Sequence, residues 1–254
     1  MWVGPPPTPL RAGHTPTCVP TVWSALHNSR QACRFPPVNA RGNVAVHVPP
    51  QSAPDSFIRS ARRGQIVGAA VAVIAELGVA RASVVKIAAH AGVSRGVVAY
   101  HFRDLDDVHD AVVAEVYRLG GERLRERVAS APTPRDALLV FAGGSVGFYA
   151  EFPRHMVALQ EILAERRRTR TGSRDALPEH GREIDDVAAL LAAGREAGQF
   201  RDLDPRTTAG IVRAVLDSVV ARVAVTPPLP ADEVEAIRRE IVAAVDGLTR
   251  REHP

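Results

Sequence analysis

Apolar residues recur at spacings of three and four along most of the chain beyond residue 55, as expected for helices that bury one face. The first stripe consists of Ile66, Ala69, Ala70, Val73, Ile74 and Leu77. Gly78 follows directly, and a glycine in that place is a common helix terminator. No segment alternates strictly enough to predict a strand. The pattern therefore predicts an all-α protein.

Two short helices are predicted after this stripe. Ser83 is a typical N-cap for a helix that runs to about His90, and Ser94 is one for a helix that runs to about His101. Between them, Ala91-Gly92-Val93 predicts a tight turn. Two short helices joined by a glycine-containing turn form a helix-turn-helix, here at about residues 83–102.

The rest of the chain predicts longer helices, several of which begin at a proline. The expected segments are Leu105 to about Ala129, Pro134 to about Ala150, Pro153 through Leu163, Ile184 to a stop at Gly198, Pro205 through Val219, and Asp232 through Val245. A loop is expected around Thr169–Leu177.

Residues 1–54 have a different composition, with 11 of the 20 prolines and no persistent period. Proline removes backbone donors and blocks helix continuation, so this segment is predicted to be disordered. A regulatory or DNA-contacting arm is one interpretation. We favour a dispensable tail or a start codon assigned too far upstream.

Positive charge is concentrated in one short block. Ser56 to Arg103 contains seven basic residues and one acid, a net charge of +6, whereas residues 104–254 contain 21 arginines and 26 acids, a net charge of −5. A basic module on an acidic body is typical of nucleic-acid binding, although a solvated basic face remains an alternative.

Several protein classes are disfavoured. The only cysteines are Cys18 and Cys33, which argues against a disulfide scaffold or a cysteine zinc site in the main body. No apolar run is long enough for a membrane span, and the first residues lack the apolar region of a secretory signal, so a cytoplasmic location is expected. No histidine lies in a nucleophile, zinc or phosphate motif, so we expect no enzyme activity, no metal and no cofactor.

The predicted third helix carries residue types that suit the major groove of DNA. Gly96 leaves room for close approach, and Arg95 can reach a guanine edge or a phosphate. Val97 can touch a thymine methyl group, while Tyr100 and His101 offer donors near the backbone.

Two further residues should hold this helix in place. Val98 and Phe102 lie four residues apart and are expected to anchor it to the core. Plainer roles stay open for its neighbours: Gly96 in tight packing, Tyr100 as a half-buried aromatic residue and His101 as a helix cap.

These motifs resemble the N-terminal domain of TetR-family regulators over about Arg62 to Val113. The resemblance is carried by Arg63-x-x-Ile66, Ala69-Ala70, Glu76-x-Gly78, Ser83, Ile87-Ala88, Ala91-Gly92-Val93-Ser94-x-Gly96 and Tyr100-His101-Phe102. Two phosphate-contacting positions of the family depart from its pattern, with Ala99 in place of a tyrosine and Leu105 in place of a lysine. Arg103 is a candidate to compensate for the lost cation.

The resemblance implies three parts: a Pro-rich extension at 1–54, a DNA-binding domain at 55–103, and a helical ligand-binding and dimerisation domain at 104–254. The DNA-binding candidates are Arg59, Arg62, Arg63, Ser83, Lys86, Ser94, Arg95, Gly96, Val97, Tyr100, His101 and Arg103. The implied partners are operator DNA, a small-molecule effector and a second copy of the chain.

For the C-terminal part the resemblance implies a small-molecule pocket and a dimer interface on the last two helices. The pocket candidates are Tyr117, Phe141, Phe148, Tyr149, His155, Met156, Leu159, Gln160 and Leu190. The interface candidates are Val215, Leu216, Val219, Ile237, Ile241 and Val245. The alternative is that the last two helices bury these apolar faces within one chain. The implied function is a repressor released by its ligand. The alternatives are a helical small-molecule-binding protein or an enzyme whose helix-turn-helix no longer binds DNA.

Overall fold

The computed structural model describes residues 54–169, 178–225 and 227–251. Over these ranges it contains nine α-helices, a short 3-10 turn at Val79–Arg81 and no strand beyond one isolated bridge. The helices are α1 Pro54–Leu77, α2 Val84–Ala91, α3 Arg95–His101, α4 Leu105–Ala129, α5 Pro134–Glu151, α6 Pro153–Thr169, α7 Pro178–Glu196, α8 Pro205–Val223 and α9 Ala231–Thr249. The all-α prediction is confirmed.

Capping residues end the short helices where the sequence predicts. The Ser83 hydroxyl accepts a hydrogen bond from the backbone N–H of Lys86, and the Ser94 hydroxyl accepts one from Val97. Gly92 closes α2 with a φ of 65°, a left-handed conformation in which a side chain is strained. These local signals fix the turn between α2 and α3.

The N-terminal unit of α1, α2 and α3 has its own small core. Ile66 and Ile74 of α1, Ile87 of α2 and Val98 of α3 are fully or almost fully buried, and Phe102 seals the end of α3. The anchoring role expected of Val98 and Phe102 is therefore confirmed. α1 begins at Pro54, well before its apolar stripe. Residues 57–65 are exposed and carry no periodic signal that could have predicted this start.

α5 is the central helix of the C-terminal unit and packs against α4, α7, α8 and α9. Its patch of small residues permits this close packing. A Cβ on Gly144 would lie 2.4 Å from Leu124 of α4, and one on Gly143 would lie 3.1 Å from Val242 of α9. A larger residue at Gly144 would displace the Leu124 side chain, and one at Gly143 would press on Val242.

The predictions for residues 1–53 and for the loop over 170–177 fall outside the described residues. Within the described ranges, no helix is long and apolar enough to cross a bilayer.

Candidate DNA interface and ligand cavity

The exposed face of α3 is the most distinctive surface of the N-terminal unit. Arg95, Gly96, Ala99 and Tyr100 are exposed, and the Tyr100 side chain retains 71% of its accessible area. Val97 is half-buried at the edge of this face. A large exposed aromatic residue beside an arginine and a glycine leaves a helix face free to approach a partner closely.

Three arginines of α1 lie close enough to the end of α3 to affect its histidine. His101 is half-buried, and its pKa is lowered first by loss of hydration and then by the positive charges of Arg59, Arg63 and Arg62. We call the exposed arginines of α1 together with the exposed face of α3 the α1–α3 surface. Arg62 donates a hydrogen bond to Gln65 within α1, at 2.6 Å.

Several predicted contact residues also have structural partners. The hydroxyls of Ser83 and Ser94 cap α2 and α3. The Lys86 Nζ donates a hydrogen bond to the Arg81 carbonyl oxygen at 2.7 Å. These groups position the helix-turn-helix whether or not they also meet DNA.

Arg103 is tethered to the start of α4. Its guanidinium lies 3.3 Å from Asp107 Oδ1, and its backbone N–H donates to Asp107 Oδ2 at 3.1 Å. The hydrogen bonds from Arg103 hold the pKa of Asp107 below its usual value. Asp104 caps the same helix by accepting a hydrogen bond from the Asp107 backbone N–H at 2.8 Å. Arg103 would have to leave Asp107, or share it, to replace the cation that is absent at Leu105.

One exposed residue of the same unit was not among the predicted contacts. Val85 of α2 retains 53% of its accessible area, next to Lys86 and outside the buried stripe of Ile87, Ala88 and Ala91. A helical projection of α2 would have revealed it, because Val85 lies two residues before Ile87 and thus on the opposite face.

A cavity of about 480 Å³ runs along α4 between α1, α5, α6, α7 and α8, and we call it the central cavity. Its walls comprise Ser60, Arg63, Gly64, Val67, Ala111, Ala114, Glu115, Val116, Tyr117, Arg118, Gly120, Gly121, Leu124, Arg125, Phe141, Ser145, Phe148, Tyr149, Met156, Leu159, Arg182, Glu183, Asp186 and Arg213. Its volume falls within the range of small-molecule sites.

The structure places six of the nine predicted pocket residues in these walls. They are Tyr117, Phe141, Phe148, Tyr149, Met156 and Leu159. The other three do not line the cavity. His155 packs edge-on against Phe152 with ring centroids 5.6 Å apart, Gln160 donates a hydrogen bond to Asp217 at 3.3 Å, and Leu190 is buried in the packing of α7.

The cavity also has a charged wall that the sequence analysis missed. Arg213 of α8 is buried and pairs with Glu183 of α7 at 3.1 Å and with Asp217 at 2.6 Å. Burial alone would lower the pKa of Arg213, but the neighbouring charges, led by Glu183, raise it above its usual value. One signal was available, because Arg213 falls within the apolar stripe of Ala209, Val212 and Leu216, where a charged residue needs a partner.

Some of the remaining polar groups of this wall have hydrogen-bond partners and others do not. The Tyr117 hydroxyl and His180 Nδ1 are 2.9 Å apart and hydrogen-bonded. Tyr149 Oη and Asp186 Oδ2 are buried and have no hydrogen-bond partner among the described residues. Burial and the nearby charges of Glu183 and Asp185 raise the pKa of Asp186 to about 6.

Comparison with known proteins shows which family the N-terminal unit is similar to. Residues 66–112 match the family model described as bacterial regulatory proteins, tetR family. This segment of the chain is therefore similar to the TetR family of bacterial regulatory proteins. The resemblance seen in the helix-turn-helix motifs is thereby confirmed.

One curated TetR-family relative is the HTH-type transcriptional regulator BetI of Yersinia pestis (strain Pestoides F). It is 35% identical over 86 residues, which cover 33% of this chain and 43% of BetI. The chain thus matches less than half the length of this relative.

Solved TetR-type structures resemble most of the chain in fold. A putative TetR-family regulator from Rhodococcus sp. is 24% identical, with a TM-score of 0.64, and the alignment covers 74% of this chain and 98% of that one. A putative regulator from Saccharomonospora viridis, solved in complex with choline, is 19% identical, with a TM-score of 0.59 over 76% of this chain and all of that one. At these identities the likeness establishes the fold.

The predicted dimer residues are mostly buried within a single copy. Leu216, Val219, Ile241 and Val245 lie in the core, whereas Val215 and Ile237 are half-buried. The physical reason is that α8 packs against α7 and α5, and α9 packs against α5, so their most apolar sides face inward. The outward side of α8 instead carries small, uncharged residues in a regular row. This row consists of Thr207, Ile211, Ala214, Ser218 and Ala221.

Proposed function

We propose that this chain is a TetR-family transcriptional regulator that binds operator DNA through α3 and is released by a small molecule in the central cavity. The supporting observation is the exposed face of α3, with Arg95, Gly96 and Tyr100, joined to the basic end of α1 in the α1–α3 surface. Such a face suits entry into the major groove, with the arginines of α1 near the phosphates.

A second copy of the chain is part of this proposal. Helix-turn-helix proteins read two half-sites about 34–36 Å apart, or a multiple of that spacing, and a two-fold dimer supplies two recognition helices. The row on α8 from Thr207 to Ala221 is free of charge, and Ile211 in it retains 44% of its accessible area. Small side chains allow two helices to approach closely, so we assign this row to the dimer contact.

Ligand control is supported by the position of the central cavity. Its walls include Arg63 and Val67 of α1 as well as the inner face of α4. Only two residues separate Phe102 from the start of α4, and Glu161 of α6 accepts a hydrogen bond from the backbone N–H of Val79 in the N-terminal unit, at 3.3 Å. A molecule that spreads these walls would therefore move the α1–α3 surface. To shift the protein from 99% in the DNA-binding conformation to 99% in the released conformation, the ligand must bind the released conformation about 10⁴-fold more tightly.

We further propose that the protein acts in the cytoplasm, where its DNA is, and that it has no catalytic role. Its relatives are transcription factors rather than enzymes. The competing hypothesis is a helical ligand-binding protein that has lost DNA binding. Ala99 and the tethered Arg103 favour that alternative, because both weaken the anchoring to phosphate.

Fluorescence anisotropy with labelled DNA separates the two hypotheses. The probes are the fragment upstream of the protein's own gene and a random duplex of equal length. We expect tighter binding to the former. Arg95→Ala should weaken it by about 1–3 kcal/mol if Arg95 contacts a base, and should flatten the salt dependence if it contacts a phosphate.

Arg239→Ala is the matched control, because Arg239 is an exposed arginine on α9, in the C-terminal unit. It should bind DNA as the unmodified protein does. Equal, weak binding to both duplexes by the unmodified protein would favour the ligand-binding protein without a DNA function.

A further inference from the structure

The central cavity contains buried polar atoms that nothing in the described chain satisfies. They are Tyr149 Oη, Asp186 Oδ2 and Arg125 Nε. The Arg125 side chain is only half-buried, so solvent can hydrate the rest of its guanidinium. Asp186 retains only 9% of its accessible area. A buried carboxylate oxygen without a partner is costly and unusual in a native protein.

The charge of Asp186 is also uncompensated. The one buried cation nearby, Arg213, already pairs with two carboxylates, those of Glu183 and Asp217. Arg182 precedes Asp186 by one helical turn on α7, but its side chain is exposed at the rim. Around Asp186, the wall formed by α7 and α8 therefore carries the carboxylates of Glu183, Asp186 and Asp217 against the one buried guanidinium of Arg213, whereas Arg63, Arg118 and Arg125 line other walls of the cavity.

Other charged groups near this wall do not restore the balance. Asp185 faces solvent, paired with Arg206. On the opposite wall, Glu115 of α4 lies 2.7 Å from Arg118, so that pair contributes little net charge. His180 is engaged with Tyr117. Among the described carboxylates of this wall, Asp186 is the one without an ion-pair partner.

The rest of the cavity is apolar and aromatic. Phe141, Phe148, Met156 and Leu159 line it, and the ring of Tyr149 lies beneath the Arg213 guanidinium at 5.9 Å. Such walls bury hydrocarbon, and aromatic faces also attract cations.

We propose that the ligand of the central cavity is a protonated amine with an apolar body, whose ammonium group donates a hydrogen bond to Asp186 Oδ2. Tyr149 Oη supplies a second polar contact to the same ligand. This inference rests on the proposed function only in taking the central cavity as the effector site. A quaternary ammonium would balance the charge but has no N–H for Asp186 Oδ2, so the N–H is part of the inference.

The pKa of the Asp186 carboxyl group provides a second argument for an amine ligand. Burial, Glu183 and Asp185 raise the pKa of Asp186 to about 6. A bound ammonium favours the ionised carboxylate, so amine binding should strengthen as the pH rises through 6. The affinity of a neutral ligand of the same shape should not follow this curve.

Calorimetry on the full chain without DNA tests the proposal. The probes are 2-phenylethylamine, 2-phenylethanol, 3-phenylpropionate and trimethyl(2-phenylethyl)ammonium, which share one apolar body. At pH 7.5 we expect the primary amine to bind about tenfold or more tightly than the alcohol, since hydrogen bonds to charged groups are the stronger ones. The carboxylate should bind more weakly than the alcohol, and the quaternary ammonium should bind more weakly than the primary amine.

Asp186→Asn should bring the amine and the alcohol to within about twofold of each other. Asp185→Asn is the matched control, one residue away but exposed, and should keep the preference. The unmodified protein supplies an independent measurement: its affinity for the amine should fall between pH 7.5 and 5.5, while its affinity for the alcohol stays constant.

Equal binding of amine and alcohol, an amine preference that survives Asp186→Asn, or no amine binding at millimolar concentration would each overturn the inference. Equal binding of the primary and quaternary amines would overturn it as well. The proposed function fails separately: an amine preference in a protein that does not bind its upstream DNA supports the inference and rejects the regulator. A protein that binds its upstream DNA but shows no amine preference supports the regulator and rejects the inference about the ligand.

Discussion

The guanidinium of Arg63 lies 4.7 Å from the centre of the Phe102 ring. Phe102 closes the recognition helix α3, and Arg63 also lines the central cavity. One side chain of α1 thus contacts both the end of α3 and the space that we assign to the ligand. This contact connects the cavity directly with the end of α3.

We expect this pair to be energetically coupled. In a double-mutant cycle with Arg63→Met and Phe102→Leu, which preserve most of the apolar burial, urea unfolding should give a coupling of about 0.5–1 kcal/mol. Arg62→Met, whose arginine bonds only to Gln65 among the described residues, is the control and should be additive with Phe102→Leu. Additivity of Arg63→Met with Phe102→Leu would show that the stacking has no energetic role.

DNA binding should also depend on the protonation of His101. Burial and the arginines of α1 lower the pKa of His101 in the free protein. A DNA phosphate beside it would favour the imidazolium and raise that pKa, so binding takes up a proton. Affinity for the upstream DNA should therefore increase as the pH is lowered below about 6.5.

Anisotropy titrations at fixed ionic strength measure this effect. His101→Gln should remove the pH dependence, whereas His90→Gln, which changes an exposed histidine of α2, should retain it. A pH dependence that persists in His101→Gln would assign the titration to another group.

The N-terminal unit could be predicted from the sequence almost to the residue because its signals are local. Ser83, Gly92 and Ser94 act on the backbone within three residues of themselves, so each cap and turn follows from a short stretch of sequence. The proline starts of the later helices are local in the same way.

The charged wall of the central cavity could not be predicted in this way. Glu183 and Arg213 are 30 residues apart and lie on different helices, and only the packing of α7 on α8 brings them together. Amphipathic patterns also do not tell which partner covers an apolar face. Leu216 and Val245, for example, are predicted at a dimer contact, and a single copy of the chain already buries them.

The difference in burial between Ile211 and Leu216 gives a prediction about dimer formation. Ile211→Glu should leave the helical content unchanged and yield a monomer, because Ile211 is exposed in the small-residue row of α8. Leu216→Glu should instead unfold the chain, since it places a charge in the core. Light scattering and circular dichroism distinguish the two outcomes.

Val85→Glu is the control for assembly, as it places the same charge at an exposed valine of the DNA-binding unit. It should remain a dimer. A monomeric unmodified protein at micromolar concentration would contradict the assigned contact, and so would a dimer of Ile211→Glu.

Asp186 should reduce the stability of the ligand-free protein. Because its pKa is raised to about 6 in the fold, the native state favours the protonated carboxyl. Stability is therefore lost as the pH rises from the unfolded value near 4 to the folded value near 6. Asp186→Asn removes this penalty and should stabilise the protein on the order of 1–2 kcal/mol at pH 7.5, after allowance for solvent screening.

The gain should shrink toward zero near pH 4, where the carboxyl is protonated in both states. Urea unfolding of Asp186→Asn and the unmodified protein at pH 4.5, 6 and 7.5 measures this trend, with Asp185→Asn as the exposed control. A gain that does not vary with pH would mean that shape rather than charge is responsible. A loss of stability at pH 7.5 would mean that the Asp186 carboxylate has a partner within the native protein, and that its charge is not available to pair with a ligand.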